Sequence, residues 1–159
     1  MADPFHRFAM AALATSQDER LVVSAHEVAR EGPSYTIDTV RHFAGHERHL
    51  ALILGSDSLA EIESWRECRA LLDLAPLIVY PRRPHVDGLL DDRLAGWIRE
   101  KRAAGSIVTL DCEPDDIFST QVRALLRSGQ FAGALVPEAV ERYIIKHRLY
   151  TGGLEETTD

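Results

Sequence analysis

Apolar positions in this chain recur with two periods, and their order predicts an alternation of helices and strands. Phe5, Phe8, Ala9, Ala12 and Leu13 fall at helical spacing, so the chain is expected to begin in a helix. Leu21-Val22-Val23 reads as a short strand, followed by a polar loop through Arg30-Glu31-Gly32-Pro33. Ser34 or Thr36 can then cap a helix that carries Ile37, Val40 and Phe43 on one side. Leu50-Ala51-Leu52-Ile53-Leu54 is a continuous apolar run that stops at Gly55. Such a run is what a strand buried on both faces of a parallel sheet requires. A helix fits Trp65 to Leu74, and Leu77-Ile78-Val79-Tyr80 is a second buried strand, ended by Pro81. Arg93 to Ala103 reads as helical, and Ile107-Val108-Thr109-Leu110 as a third strand. Two helices close the chain, Ser119 to Ser128 and Pro137 to His147. Pro137 suits a first helical turn, where its missing N–H costs nothing.

Strands alternating with helices predict an α/β fold built on a doubly wound parallel sheet. Ligands of such sheets bind outside the carboxyl ends of the strands. The 159 residues are expected to form a single domain over residues 1–151, with 152–159 as a flexible tail. A hydrophobic content of 45% and a charged content of 27% are those of a globular chain. The formal net charge of −7 argues against a general nucleic-acid binder, because phosphate backbones reward a basic surface. A local basic cluster can still hold a small phosphorylated ligand. Cys68 and Cys112 stand far apart with no ligand spacing around them, which predicts reduced thiols rather than a disulfide or a zinc site. With no long apolar run and no signal-peptide core, a cytoplasmic location without membrane contact is expected. Nothing in the pattern fixes the oligomeric state, and a homo-oligomer is compatible with it.

Three segments that follow strands or open helices can carry chemistry. In Gly55-Ser56-Asp57-Ser58, glycine allows close backbone approach and Asp57 can accept hydrogen bonds from ribose hydroxyls; equally, Asp57 or Ser58 can cap the next helix. Ser119 and Thr120 stand at a helix start, where free N–H groups and the positive dipole end attract anions. Arg123 lies one turn later on the same face and adds a forked donor, although Ser-Thr is also a common helix cap. Pro81-Arg82-Arg83-Pro84 can meet a phosphate or form a solvated loop. His42, His46 and His49 could share a helix face, but Gly45 interrupts it and no carboxylate completes a metal-ligand set. The chain has no G-x-S-x-G elbow, P-loop or G-x-G-x-x-G fingerprint, so any phosphate site is of another kind.

Taken in order, these segments resemble the bacterial nicotinate-nucleotide adenylyltransferases. The resemblance runs through Phe5-His6-Arg7 with Met10, Glu31-Gly32-Pro33-Ser34-Tyr35-Thr36-Ile37-Asp38-Thr39, and Leu54-Gly55-Ser56-Asp57-Ser58-Leu59. It continues through Trp65, Val79-Tyr80-Pro81-Arg82, Ser119-Thr120-Gln121-Val122-Arg123, and Leu135-Val136-Pro137-Glu138-Ala139-Val140 to Tyr143-Ile144. It implies a Rossmann-like nucleotidyltransferase fold and adenylyl transfer from ATP, with Mg²⁺, to nicotinate mononucleotide. By this resemblance Ser119, Thr120 and Arg123 contact the ATP phosphates, and Gly55 and Asp57 the adenylyl side. Tyr35, Thr36 and Trp65 hold the nicotinate ring, Arg66 pairs with the substrate carboxylate or phosphate, and Arg82 or Arg83 meets a phosphate. Two alternatives stand beside this reading: an enzyme for nicotinamide mononucleotide, and a non-catalytic nucleotide-binding remnant.

The family opens with a strand running into a G-G-T-F-D-P segment and an H-x-G-H motif, and these 159 residues contain neither. The string His42-Phe43-Ala44-Gly45-His46 has a different spacing. No residue of this chain is therefore assigned the role of those histidines, which stabilise charge on the transferred phosphate. The resemblance starts after that portion, leaving on the order of 40–50 residues, at least a βαβ unit, outside it. A start site placed too far downstream is the simplest expectation; a natural fragment or a second chain supplying the front half are the others. The Leu21 strand is then expected to lack a neighbour and the Leu50 strand to expose an unpaired, aggregation-prone edge.

Overall fold

Three short strands, β1 (Leu52–Gly55), β2 (Leu77–Tyr80) and β3 (Ile107–Thr109), pair in parallel in the order β1-β2-β3 in a computed structural model of the chain. The structure describes residues 2–46, 49–82, 92–113, 115, 117–130, 132–133 and 135–150. Contacts divide the chain into two units, one of Gly32–Asp116 and one of Met1–Glu31 with Ile117–Asp159.

The first unit holds the sheet. Leu52 lies opposite Leu77 and Leu77 opposite Ile107, so the apolar runs align in register. Leu54, Leu77, Val79 and Ile107 are buried together with Ile37 and Val40 of α2 (Thr36–Ala44). Leu71 and Leu72 of α4 (Cys68–Leu74) and Leu94 and Ile98 of α5 (Asp92–Ala103) complete this core. Between β1 and α4 run a short helix α3 (Ser56–Ala60) and a 3-10 turn (Ile62–Ser64), which bury Leu59 and Ile62. The other face of the sheet is not packed in this way: Ile53 is 67% and Val108 49% exposed. The expectation that these strands are buried on both faces therefore holds for one face only among the described residues.

Four local expectations are corrected. Residues Leu21 to Ala25 form no strand; Leu21 donates its N–H to Asp18 in a turn, and Val22 is 89% exposed. Three apolar residues cannot hold a strand without a partner ladder, however strong their β preference. The helix expected from Trp65 starts at Cys68, because Glu67 takes a left-handed conformation (φ 53°, ψ 41°) and Trp65 is extended. Neither Ser34 nor Thr36 caps α2: Tyr35 holds the N-cap position without a side-chain hydrogen bond. Neither Asp57 nor Ser58 caps α3, which starts at Ser56 behind Gly55.

The second unit is helical. In α1 (Pro4–Thr15), the Asp3 carboxylate accepts the Phe5 N–H at 2.8 Å and Pro4 occupies the first turn. In α7 (Glu138–Lys146), Pro137 sits at the N-cap, one position earlier than expected, and its carbonyl accepts the Val140 N–H. The two helices pack together, with His6 Nδ1 2.9 Å from the Tyr143 hydroxyl and the Tyr143 ring against His147. Glu141 of α7 is buried, and its carboxylate accepts the Ala132 N–H at 2.6 Å. A buried carboxylate is tolerated where a backbone donor meets it, so this contact anchors the segment that leads into α7. The third helix, α6 (Ser119–Arg127), buries Val122.

Candidate functional site

The carboxyl ends of β1 and β2 lie side by side, with Gly55 opposite Tyr80. Beyond them the chain ties itself together through polar groups. The Ser56 hydroxyl accepts the Arg82 N–H at 2.9 Å, and the Arg82 guanidinium donates to Asp57 at 3.3 Å. Gly55 is required here for space rather than for its backbone angles. A Cβ at this position would run into Asp57 Oδ1 and lie 3.0 Å from Arg82 Cδ and Nε. The structure thus brings Gly55, Asp57 and Arg82 into one cluster, although they are up to 27 positions apart in the chain. Both members of the ion pair are half exposed, so an incoming anion can compete for Arg82. Ser56 belongs to this cluster and was not singled out from the sequence, although it lies inside the G-S-D-S stretch. Tyr80 adds a further tie: its hydroxyl accepts the Asp115 N–H at 3.0 Å and donates to the Asp115 carboxylate at 3.1 Å.

A second cluster forms where α2 begins. The Arg66 guanidinium carbon lies 4.8 Å from the centroid of the Tyr35 ring, a cation–π contact across 31 positions of sequence. Thr36 is the first residue of α2 and is half-buried. Trp65, next to Arg66, is half-buried and packs against the core, so only part of its ring is open to a ligand. The neighbouring Glu67 forms a bidentate ion pair with Arg41 of α2, at 2.6 and 3.2 Å. That hydrogen bonding holds the Glu67 carboxyl below the usual glutamate range. Because the folded value is lowered, the pair stabilises the fold above the ordinary glutamate pKa. The contribution is lost as the pH falls through the lowered value. The difference in Tm between the parent and Glu67→Gln is therefore expected to be small but constant from neutral pH to about pH 5, and to vanish in stronger acid. Thermal melts across that range check it, and a difference that grows on acidification would contradict the pairing.

Ser119 and Thr120 open α6 in the other unit. Both are exposed, and Phe118 holds the N-cap position without a side-chain hydrogen bond. No acidic side chain occupies the first turn. Arg123 is half-buried one turn on, and among the described residues no ion pair engages it. The N–H groups of the first turn, two exposed hydroxyls and a guanidinium without an ion-pair partner among the described residues form a helix start of the kind that binds phosphate. Arg83 lies outside the described residues. His42 and His46 contact each other edge to face, with 5.3 Å between ring centroids. Among the described residues no group of three His, Cys, Asp or Glu side chains is placed to hold a metal ion. No helix among them is long and apolar enough to cross a membrane.

The family model described as cytidylyltransferase-like matches residues 1–125. The probable nicotinate-nucleotide adenylyltransferase of Marinomonas sp. is 37% identical, over 92% of this chain and 72% of its own length. The corresponding protein of Tropheryma whipplei is 35% identical, over 94% of this chain and 75% of its own. That of Yersinia pestis is 32% identical, over 95% and 74%. Plasmodium falciparum nicotinic acid mononucleotide adenylyltransferase complexed with APC superposes with a TM-score of 0.62 at 17% identity, covering 94% of this chain and 77% of that one. The same enzyme complexed with NaAD gives 0.64, covering 94% and 75%. The structural likeness establishes the Rossmann-like nucleotidyltransferase fold. With family-model and sequence matches that span most of its length, the chain belongs to the cytidylyltransferase-like family, among the nicotinate-nucleotide adenylyltransferases.

Proposed function

We propose that this chain transfers the adenylyl group of ATP to nicotinate mononucleotide, giving nicotinate adenine dinucleotide and pyrophosphate in NAD synthesis. The observation that carries the choice of substrate is the Arg66–Tyr35 contact beside the half-open Trp65. A pyridinium ring gains from an aromatic face, and its carboxylate gains from a forked cation. A nicotinamide ring offers no charge to that cation, so the cluster favours the acid. Ser119, Thr120 and Arg123 hold the ATP phosphates in this reading, and Gly55 and Asp57 face the adenylyl group. Arg82 exchanges its Asp57 partner for a substrate phosphate, and Thr36 lines the ring site next to Tyr35.

The reaction forms one phosphorus–oxygen bond and breaks another. An oxygen of the mononucleotide phosphate attacks the α-phosphorus of ATP, and the bond to the β-phosphate breaks to release pyrophosphate. The attacking phosphate is already ionised, so no general base is needed. This chain's residues supply position and positive charge. A Mg²⁺ ion suits this donor set as a passenger on the ATP phosphates, since it needs few protein ligands when substrate oxygens supply the rest. When bound it offsets negative charge on the triphosphate. Free thiols at Cys68 and Cys112 agree with a reducing, cytoplasmic setting for such an enzyme.

Trp65→Ala is expected to weaken nicotinate mononucleotide at least about tenfold, from loss of base–aromatic stacking, and to change ATP affinity little. Calorimetric titration of each ligand tests this. An equal loss for both would mean that Trp65 serves the core and not the ring.

A further inference from the structure

Glu67 occupies a backbone conformation that suits glycine better. Its φ of 53° and ψ of 41° lie in the left-handed region, which a side chain with a Cβ disfavours. A glutamate at such a position calls for a role in its carboxylate. That carboxylate grips Arg41 of α2 with both oxygens. The same Oε1 also lies 3.8 Å from Arg66 Nε. Arg66 in turn lies over the Tyr35 ring at 4.8 Å. Four side chains, two from α2 and its cap and two from the turn before α4, therefore form one continuous set of contacts. Arg66 is 54% exposed, and an arginine that open would otherwise sample many rotamers.

We infer that Glu67 is a positioning residue: anchored on Arg41, it holds the Arg66 guanidinium over Tyr35 and so prepares the cation that recognises the carboxylate of the pyridine ring. The inference rests on the proposed substrate reading of Tyr35, Trp65 and Arg66. Its physical basis is preorganisation, since a side chain already fixed loses less freedom when a ligand arrives. The Glu67 charge does not repel the substrate carboxylate strongly, because Arg41 neutralises it and both are solvent-exposed.

The test titrates the full 159-residue chain with nicotinate mononucleotide and, separately, nicotinamide mononucleotide. The parent, Arg66→Ala, Glu67→Gly and the double variant are compared. Glycine suits the local backbone, so Glu67→Gly removes the carboxylate without adding strain. It is expected to weaken the acid about fivefold, the scale of an exposed ion pair, and to leave the amide unchanged. Arg66→Ala is expected to lose at least as much, and the double variant no more than Arg66→Ala alone, as a residue acting through Arg66 requires. Unchanged or tighter acid binding by Glu67→Gly, with Arg66→Ala still impaired, would overturn the positioning role and leave the substrate reading intact. Equal losses for acid and amide in Glu67→Gly would assign Glu67 a structural role and overturn the inference likewise. Arg66→Ala binding the acid as the parent does would instead sink the substrate reading itself.

Discussion

Replacing Arg123 by alanine is expected to lower the rate of adenylyl transfer by about 10²–10³-fold, the usual loss when one donor to a developing charge is removed. Arg123 lies one turn inside α6, on the face that carries Ser119 and Thr120. In the proposed site, as negative charge moves toward the leaving pyrophosphate, the helix N–H groups would supply fixed dipoles and the guanidinium a full charge. Arg123→Lys keeps the charge and loses the fork, so it should fall between the parent and Arg123→Ala. Pyrophosphate release, followed against ATP concentration, gives kcat and kcat/KM for each variant. Melting temperature should change little, because among the described residues no ion pair ties Arg123 to the fold. Parent-like turnover by Arg123→Ala would remove α6 from the ATP site.

Leu77→Ala should have the largest effect on stability. Leu77 is fully buried on the central strand, between Leu52 on one side and Ile107 on the other. Truncating a buried leucine costs about 2–5 kcal/mol, through lost transfer energy and the cavity left behind. Native domains are stable by only about 5–15 kcal/mol, so the variant should lose a large part of its margin. At about 2–4 °C per kcal/mol for a chain of this size, Tm should fall on the order of 10 °C. Val108→Ala, on the open face of the same sheet, should cost far less. Urea unfolding of the two variants tests the contrast. Similar losses at both positions would mean that the two faces are packed alike.

Much of this arrangement could be read from the order of residue types. The strands were legible because Leu52-Ile53-Leu54 and Leu77-Ile78-Val79-Tyr80 are unbroken apolar runs ended by Gly55 and Pro81, whereas their register, Leu52 opposite Leu77, is set by the pairing itself. The start of α6 was legible because Ser119-Thr120 precedes an amphipathic stretch. Leu21-Val22-Val23 has the same composition as a strand but no partner strand among the described residues, and pairing is not a local property. The helix expected from Trp65 starts only at Cys68, because the left-handed Glu67 overrides a helical pattern that otherwise fits. The site clusters were legible as lists of residues but not as pairs. Nothing local joins Asp57 to Arg82, Tyr35 to Arg66, or Glu67 to Arg41; the β1–β2 crossover brings the first pair together, and the packing of α2 against α4 the other two. The Ala132–Glu141 bond is not legible for another reason: glutamate on a helix usually faces water, and here it is buried.

The division of the chain also has a consequence for how it is made. The unit that holds the sheet is one unbroken stretch, Gly32–Asp116, whereas the helical unit takes its pieces from both ends. A ribosome therefore delivers the whole sheet unit before α6 or α7 exists. Over that interval α1, which buries no residue of its own and packs against α7, lacks that partner. At about 5–20 residues per second, α1 waits on the order of ten seconds for its partner, long enough for a nascent-chain chaperone to find it. A helix made late thus completes one made long before it.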